Sequence, residues 1–188
     1  MTLDYRNLAL GILLSALATG SWWLNRDTEQ ELSYQPKPHS LDYYIENFGV
    51  TAMGVNGEPD KRLSAQRMAH FPDDDSTELT APRMTLYDEN SPPWQIRSET
   101  GWVSGDKQLI LLQCKVNIDR NGAPEIRPVH IVTRDLRIQP EENYAETDQD
   151  VFARSGDDRL ESKGMQVWFT KPMRIKLLAN VRGRYDPN

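Results

Sequence analysis

The sequence predicts an all-β domain carried behind a single membrane-anchoring helix. Two features from Leu41 onward predict the β domain: apolar and polar residues alternate with period two, and turn residues recur every ten to fifteen positions. No stretch there sustains a period of 3.6 over three turns. The third feature is one uncharged apolar run near the N-terminus, in a chain whose mean hydropathy of −0.68 excludes a polytopic membrane protein.

Length and charge narrow the function. With 188 residues, one medium domain fits and can bury a core without disulfide or metal. Lys and Arg number 22 against 28 Asp and Glu, a net charge of −6, and no basic run compensates; no nucleic acid is expected as partner, because neutralising phosphates needs clustered cations. Cys114 is the sole cysteine, so neither an internal disulfide nor a thiolate-rich metal site can form.

Leu8 to Leu24 reads LALGILLSALATGSWWL, seventeen residues without a formal charge between Arg6 and Arg26. At about 1.5 Å per residue it makes a helix of roughly 26 Å, which spans a core of about 30 Å with a little bilayer thinning. A cleavable signal peptide is the rival reading, since Ala16-Leu17-Ala18 fits a small-x-small cleavage site. Trp22 and Trp23 prolong the run past that point and sit where an interfacial aromatic belt belongs, which favours retention. Residues 1–6 are then a short cytoplasmic tail and 7–24 the anchor. A signal-anchor read early in synthesis exports the rest of its chain. Gly11, Ser15 and Ala18 recur on one stripe of this helix, the pattern that lets a partner helix approach closely. Residues 25–40 carry Pro36 and Pro38 without an apolar period and read as a polar tether.

Nine strands are expected in the domain 41–188, at about 41–55, 61–71, 77–88, 93–104, 107–119, 128–138, 144–154, 159–170 and 173–185. Turns such as Gly57-Glu58-Pro59-Asp60, Asn121-Gly122 and Gly156-Asp157 divide them, and the short connections imply antiparallel neighbours. Ile110, Leu112, Cys114, Val116 and Ile118 are expected on one side of a strand, with Cys114 a small core residue. Trp94, Ile96 and Trp102 are expected on one side of another, and Ile175, Leu177, Ala179 and Val181 on one side of the last. One apolar and one wet face per strand requires stacked sheets, a closed barrel or a curved roll with an apolar trough.

Catalytic signals are weak. His39, His70 and His130 lie far apart, and no metal-binding, nucleophile-elbow or phosphate-loop motif is present. Asp73, Asp75 and Thr77 imitate half a calcium loop, but Glu78 stands at the obligatory glycine and Met84 at the closing glutamate. No catalytic residue, no metal and no cofactor is therefore expected, and the protein is expected not to be an enzyme.

The order and spacing of several segments resemble the LptC family of Gram-negative lipopolysaccharide export. They are LSAQRMAHFPDDDSTELTAPRMTLYDENSPPWQIRSETGWVSGDKQLILLQCKVNI (Leu63 to Ile118), VTRDLRIQPEENYAETDQDV (Val132 to Val151), SKGMQVWF and IKLLANVRGRY. The resemblance implies a twisted, boat-like, open β-jellyroll of two antiparallel sheets in the periplasm, held to the inner membrane by the helix. It implies a trough that takes lipopolysaccharide from the ABC transporter of LptB, LptF and LptG and passes it to LptA. On that reading Leu63, Leu79, Met84, Leu86, Leu112, Val116, Leu177 and Val181 face lipid or the core beneath it, and Gly11, Ser15 and Ala18 face transporter helices. Tyr43, Tyr44, Gly164, Asn180, Arg182 and Tyr185 mark sheet edges that meet protein partners. The alternative is a membrane-tethered periplasmic β adaptor that scaffolds envelope proteins without carrying lipid.

Overall fold

The computed structural model describes residues 40–88, 91–170 and 173–185. The tail 1–6, the anchor 7–24 with Gly11, Ser15 and Ala18, and the tether up to residue 39 lie outside the described residues. Pro38–Asn188 forms one compact unit, separate from Met1–Lys37.

All described regular structure is strand: β1 (Tyr43–Met53), β2 (Pro59–Phe71), β3 (Ser76–Thr80), β4 (Arg83–Leu86), β5 (Trp94–Val103), β6 (Ile110–Arg120), β7 (Val129–Gln139), β8 (Tyr144–Ser155), β9 (Asp158–Trp168) and β10 (Arg174–Arg184). The expected strand 77–88 is two strands. Ala81 takes a left-handed φ of 48°, and Pro82 has no N–H to give a ladder, so the run breaks between β3 and β4. Both pieces pair with β2 on one side and β5 on the other.

Where two sheets were expected, the strands form one continuous antiparallel sheet in the order β1-β2-β3-β5-β6-β7-β8-β9-β10, with β4 beside β3 in the same slot. A seam of irregularities crosses it. Left-handed φ angles fall at Asn47, Ala81, Cys114, Asp135, Gly164 and Asn180, and register shifts fall at Ser98/Thr100 in β5 and Thr147/Asp150 in β8. On one side of the seam lies arm I, including 67–71, β3, 100–103, 110–112, 136–139, 144–147 and 165–168. On the other lies arm II, including 59–65, β4, 94–98, 115–120, 129–133, 150–155 and 158–163.

Breaking a ladder orphans backbone groups, and a buried orphan costs about 1–3 kcal/mol. The seam supplies side-chain substitutes. Thr133 Oγ1 donates to the Asp150 carbonyl at 3.0 Å, Thr147 Oγ1 to the Arg134 carbonyl at 2.7 Å, and Ser162 Oγ to the Gly164 carbonyl at 3.2 Å. The Cys114 N–H donates to Asp135 Oδ1 at 2.9 Å. Thr133, Thr147 and Ser162 are buried for this reason.

The seam also corrects two facing assignments. An extra residue in a strand flips the faces beyond it. Past the shift after Ser98, Gly101 rather than Trp102 pairs with buried Leu112, so Trp102 lies on the opposite face from Trp94 and Ile96. Cys114 is itself the irregular residue, with φ 63°, and is only half-buried while Leu112 and Val116 flank it in the core. The core joins the arms: Ile96, Ile118 and Ile131 of arm II share one cluster with Leu112, Leu136, Ala145 and Val167 of arm I.

Candidate functional site: an apolar cleft between the arms

Away from the seam the arms part into a cleft of about 150 Å³. Leu63 of β2 and Met84 and Leu86 of β4 line it from arm II, opposite Ile110 and Ile138 of arm I, with Val50 and Ala52 of β1 and Phe169 closing its sides. Register explains the arm II wall, because Val50, Leu63 and Met84 are direct cross-strand neighbours. A polar clasp crosses from one arm to the turn after the other: Lys61 Nζ donates to Asn143 Oδ1 at 2.6 Å. Beside the clasp, burial and then the hydrogen bond to Glu146 push the Tyr144 hydroxyl up to about 12, and its ring tilts against Trp168 at 5.5 Å.

The eight apolar residues expected to face lipid or core divide by position. Leu63, Met84 and Leu86 border the cleft. Leu79, Leu112 and Val116 are sealed at 2% exposure or less. Leu177 packs partly buried against the core, and Val181 of β10 is half exposed. The cleft residues absent from that set are the apolar Val50, Ala52, Ile110, Ile138, Pro140 and Phe169 and the polar Lys61, Arg62 and Asn143; Ile110 and Ile138 carry the same period-two signal and are separable only by the packing of the arms.

β1 and β10 are the two edges of the described sheet. Tyr43 and Tyr44 are exposed at the start of β1, and Asn180 and Arg182 lie on β10 with Tyr185 just beyond it. Gly164 lies on β9, one strand in. β1 is pinned at its start by His70. Its Nδ1 bonds Asp42 at 2.8 Å, its Nε2 bonds Asp75 at 2.7 Å, and its ring stacks on Tyr43 with centroids 4.7 Å apart. Hydrogen bonds to Asp42 and then Asp75 raise the His70 value, and the bond from His70 holds Asp42 below the usual carboxylate range. On arm II, burial pushes Asp119 up, but hydrogen bonds from His130 and Arg97 outweigh it and leave it low. Among the described residues no three His, Cys, Asp or Glu side chains gather where a metal ion could be held.

Fold and cleft together define an open β-roll with an apolar interior and polar outer faces. The chain belongs to the LptC-related lipopolysaccharide-assembly family, which matches residues 8–186. It is accordingly a component of lipopolysaccharide transport. Comparison with curated proteins gives no match. Among solved structures, the chain is similar to the crystal structure of LptH, the LptA homologous periplasmic component of the lipopolysaccharide transport device of Pseudomonas aeruginosa. The TM-score is 0.50 at 7% identity, over 68% of this chain and 95% of that one. That likeness concerns the fold.

Proposed function

We propose that the β-roll shelters lipopolysaccharide acyl chains in the cleft between its arms. Residues 7–24 hold it to the inner membrane, so that it takes lipid from the LptB, LptF and LptG transporter and passes it to LptA, without catalysis of its own. The observation that carries this reading is the cleft itself, an apolar wall of Leu63, Met84 and Leu86 facing Ile110 and Ile138 across an open gap. An acyl chain of about twelve carbons costs on the order of 10 kcal/mol to expose to water, at about 0.8 kcal/mol per CH₂. Transfer through the periplasm therefore needs a covered apolar path, and a shallow one, since a groove gripping every chain would not release it. The position of β10 at an edge of the sheet among the described residues supports a handover by strand addition, in which backbone hydrogen bonds supply affinity.

A photo-crosslinking residue at Met84 in the full chain, in membranes with the export machine active, tests the proposal. Adducts with lipopolysaccharide are expected there, and adducts with LptA from Tyr185. A protein that only scaffolds others gives the second adduct and not the first. Gly11→Leu is expected to reduce co-purification with the transporter, because a bulky side chain blocks close helix approach.

A further inference from the structure

Among the described residues, Lys61 is the cation whose side chain enters the apolar cleft. Cross-strand register fixes this: Lys61 pairs with Ala52 of β1 and Leu86 of β4, in the row next to Val50, Leu63 and Met84, so these side chains share one face. Arg62 pairs on the opposite face, with Thr51 and Thr85. From the cleft face Lys61 Nζ reaches across to Asn143 Oδ1 at 2.6 Å, on the turn between β7 and β8. The acceptor is held in place. Asn143 takes a left-handed φ of 49°, its N–H donates to the Pro140 carbonyl at 3.3 Å, and its carbonyl accepts from the Phe169 N–H at 2.7 Å.

The clasp does not need a charge. An amide donor in place of the ammonium would satisfy Asn143 without setting a cation among Ala52, Leu63 and Leu86. Nor is the charge answered within the cleft. The ammonium has three donors, and Asn143, a neutral group, takes one. The Asp60 carboxylate stands 4.0 Å away, at the limit of an ion pair, and belongs to the neighbouring residue of the same strand, whose side chain starts from the opposite face. The facing wall offers Ile110, Ile138 and Phe169. An anion brought to Nζ therefore meets a fixed, undercompensated charge at the border of an apolar cleft, where a charge-assisted hydrogen bond is roughly twice as strong as a neutral one.

We propose that Lys61 binds the phosphate of an amphiphile whose acyl chain lies on Leu63, Met84 and Leu86, so that the cleft takes anionic lipids in preference to neutral ones. The proposal rests on the carrier reading above and adds its selectivity. Lysine suits the task because it binds phosphate as a point charge with no fixed fork to match, and a carrier that must release its cargo gains from one adaptable contact over a rigid bidentate one. Asn143 fixes the ammonium at the gap between the arms while leaving its charge in place.

The test uses the full chain in a mild uncharged detergent and three probes: lipopolysaccharide, the same lipopolysaccharide stripped of its phosphates, and inorganic phosphate. The wild type is expected to bind the intact lipid at least about tenfold more tightly than the stripped one, a difference of about 1.4 kcal/mol that shrinks as salt rises. Lys61→Gln keeps a donor for Asn143 and is expected to bind both lipids equally, at the wild-type affinity for the stripped one, whereas Lys61→Arg keeps the charge and most of the preference. Asn143→Asp keeps the clasp but cancels its charge, so the preference is expected to fall there too, at an unchanged or higher urea midpoint. Equal binding of both lipids by the wild type overturns the selectivity and leaves the carrier reading standing; binding of neither lipid overturns both. A Lys61→Gln protein that keeps the preference places the phosphate elsewhere, and one that weakens both lipids alike makes Lys61 a structural clasp only; either overturns the proposal. Inorganic phosphate binding as tightly as the intact lipid overturns the amphiphile assignment in favour of a free-anion site.

Discussion

Leu63→Glu separates a lipid-bearing cleft from an idle one. Leu63 lies on β2 between Val50 and Met84, half-buried on the cleft wall. Before lipid binds, the new carboxylate reaches water across the gap, so the fold survives. When an acyl chain fills the cleft, that water leaves, and a charge in an apolar site costs several kcal/mol, the one cation on the same face of β2, Lys61, being engaged with Asn143 at 2.6 Å. The carboxylate can escape by taking a proton, which caps the penalty. For a group with an ordinary value of about 4.3, protonation at pH 7 costs about 3.7 kcal/mol, or roughly 500-fold in affinity. At pH 5 the same escape costs about 1 kcal/mol, roughly fivefold. Equilibrium binding of labelled lipopolysaccharide to the full chain is therefore expected to fall by about two orders of magnitude at pH 7 and to recover most of that loss at pH 5. Leu63→Gln, with no proton to gain, shows a small loss that does not vary with pH. Wild-type binding by a folded Leu63→Glu protein at pH 7, or a loss unchanged between the two pH values, refutes the assignment of lipid to this cleft. Val116→Glu is no substitute, because Val116 is fully buried and the charge there prevents folding before any lipid arrives.

Leu136, fully buried where the arms meet, is expected to cost about 2–5 kcal/mol as Leu136→Ala, read from the denaturant midpoint at unchanged slope. Gly164→Ala is expected to destabilise by about 1–3 kcal/mol, since φ there is 80° and an added Cβ would lie 3.0 Å from Leu178 Cδ1 and 3.3 Å from the Thr147 carbonyl; amide exchange in β10 should rise, and unchanged protection there would remove Gly164 as the support of that edge. His70 gives a pH window with two signs. Its raised value makes its contribution complete below about 6.5 and lost as pH climbs through the folded value, whereas the lowered value of Asp42 makes its own contribution present above about 3.9 and lost as pH falls through its folded value. The urea midpoint of wild type over His70→Gln should thus be greatest between about pH 4 and 6.5, and a flat difference would break the link between this cluster and the pinning of β1.

The strands are legible in the sequence because alternation and turn chemistry are local. Gly57, Asn121-Gly122 and Gly156 mark hairpins wherever the rest of the chain goes, and Ile110, Leu112, Val116 and Ile118 declare a face by spacing alone. The seam is not legible. Asn47, Ala81, Cys114, Asp135 and Asn180 are single residues on different strands, and nothing in their neighbours says that they will align. The carbonyl partners of Thr133 and Thr147, at Asp150 and Arg134, lie 17 and 13 residues away. Two errors come from that one blind spot, since a face read by parity holds only up to the next bulge. Trp102 lies across the shift at Ser98 from the residues that set its expected face, and Cys114 is the irregular residue itself.

The seam also explains why the cleft cannot be told from the core by composition. Leu63 and Leu112 have the same chemistry and the same period-two setting. What differs is place relative to the fold line. Residues within about three positions of it, such as Ile96, Leu112, Val116, Leu136, Val151 and Met165, are at 1% exposure or less. Farther out on the cleft side, Leu86 of β4, Trp94 of β5 and Ile110 and Ile118 of β6 are at 6–8%, while Ile138 of β7 and Ala145 of β8 stay at 2% or less. Burial that loosens toward β4–β6 and holds at β7 and β8 fits two arms meeting at an angle rather than lying parallel. An angled pair must leave a wedge of unfilled apolar surface at its open side, because side chains of fixed length cannot bridge a growing gap. The cleft is then a consequence of where the ladder breaks. It can be moved or closed only by shifting the left-handed residues that set the crease, and not by exchanging one leucine for another along its wall.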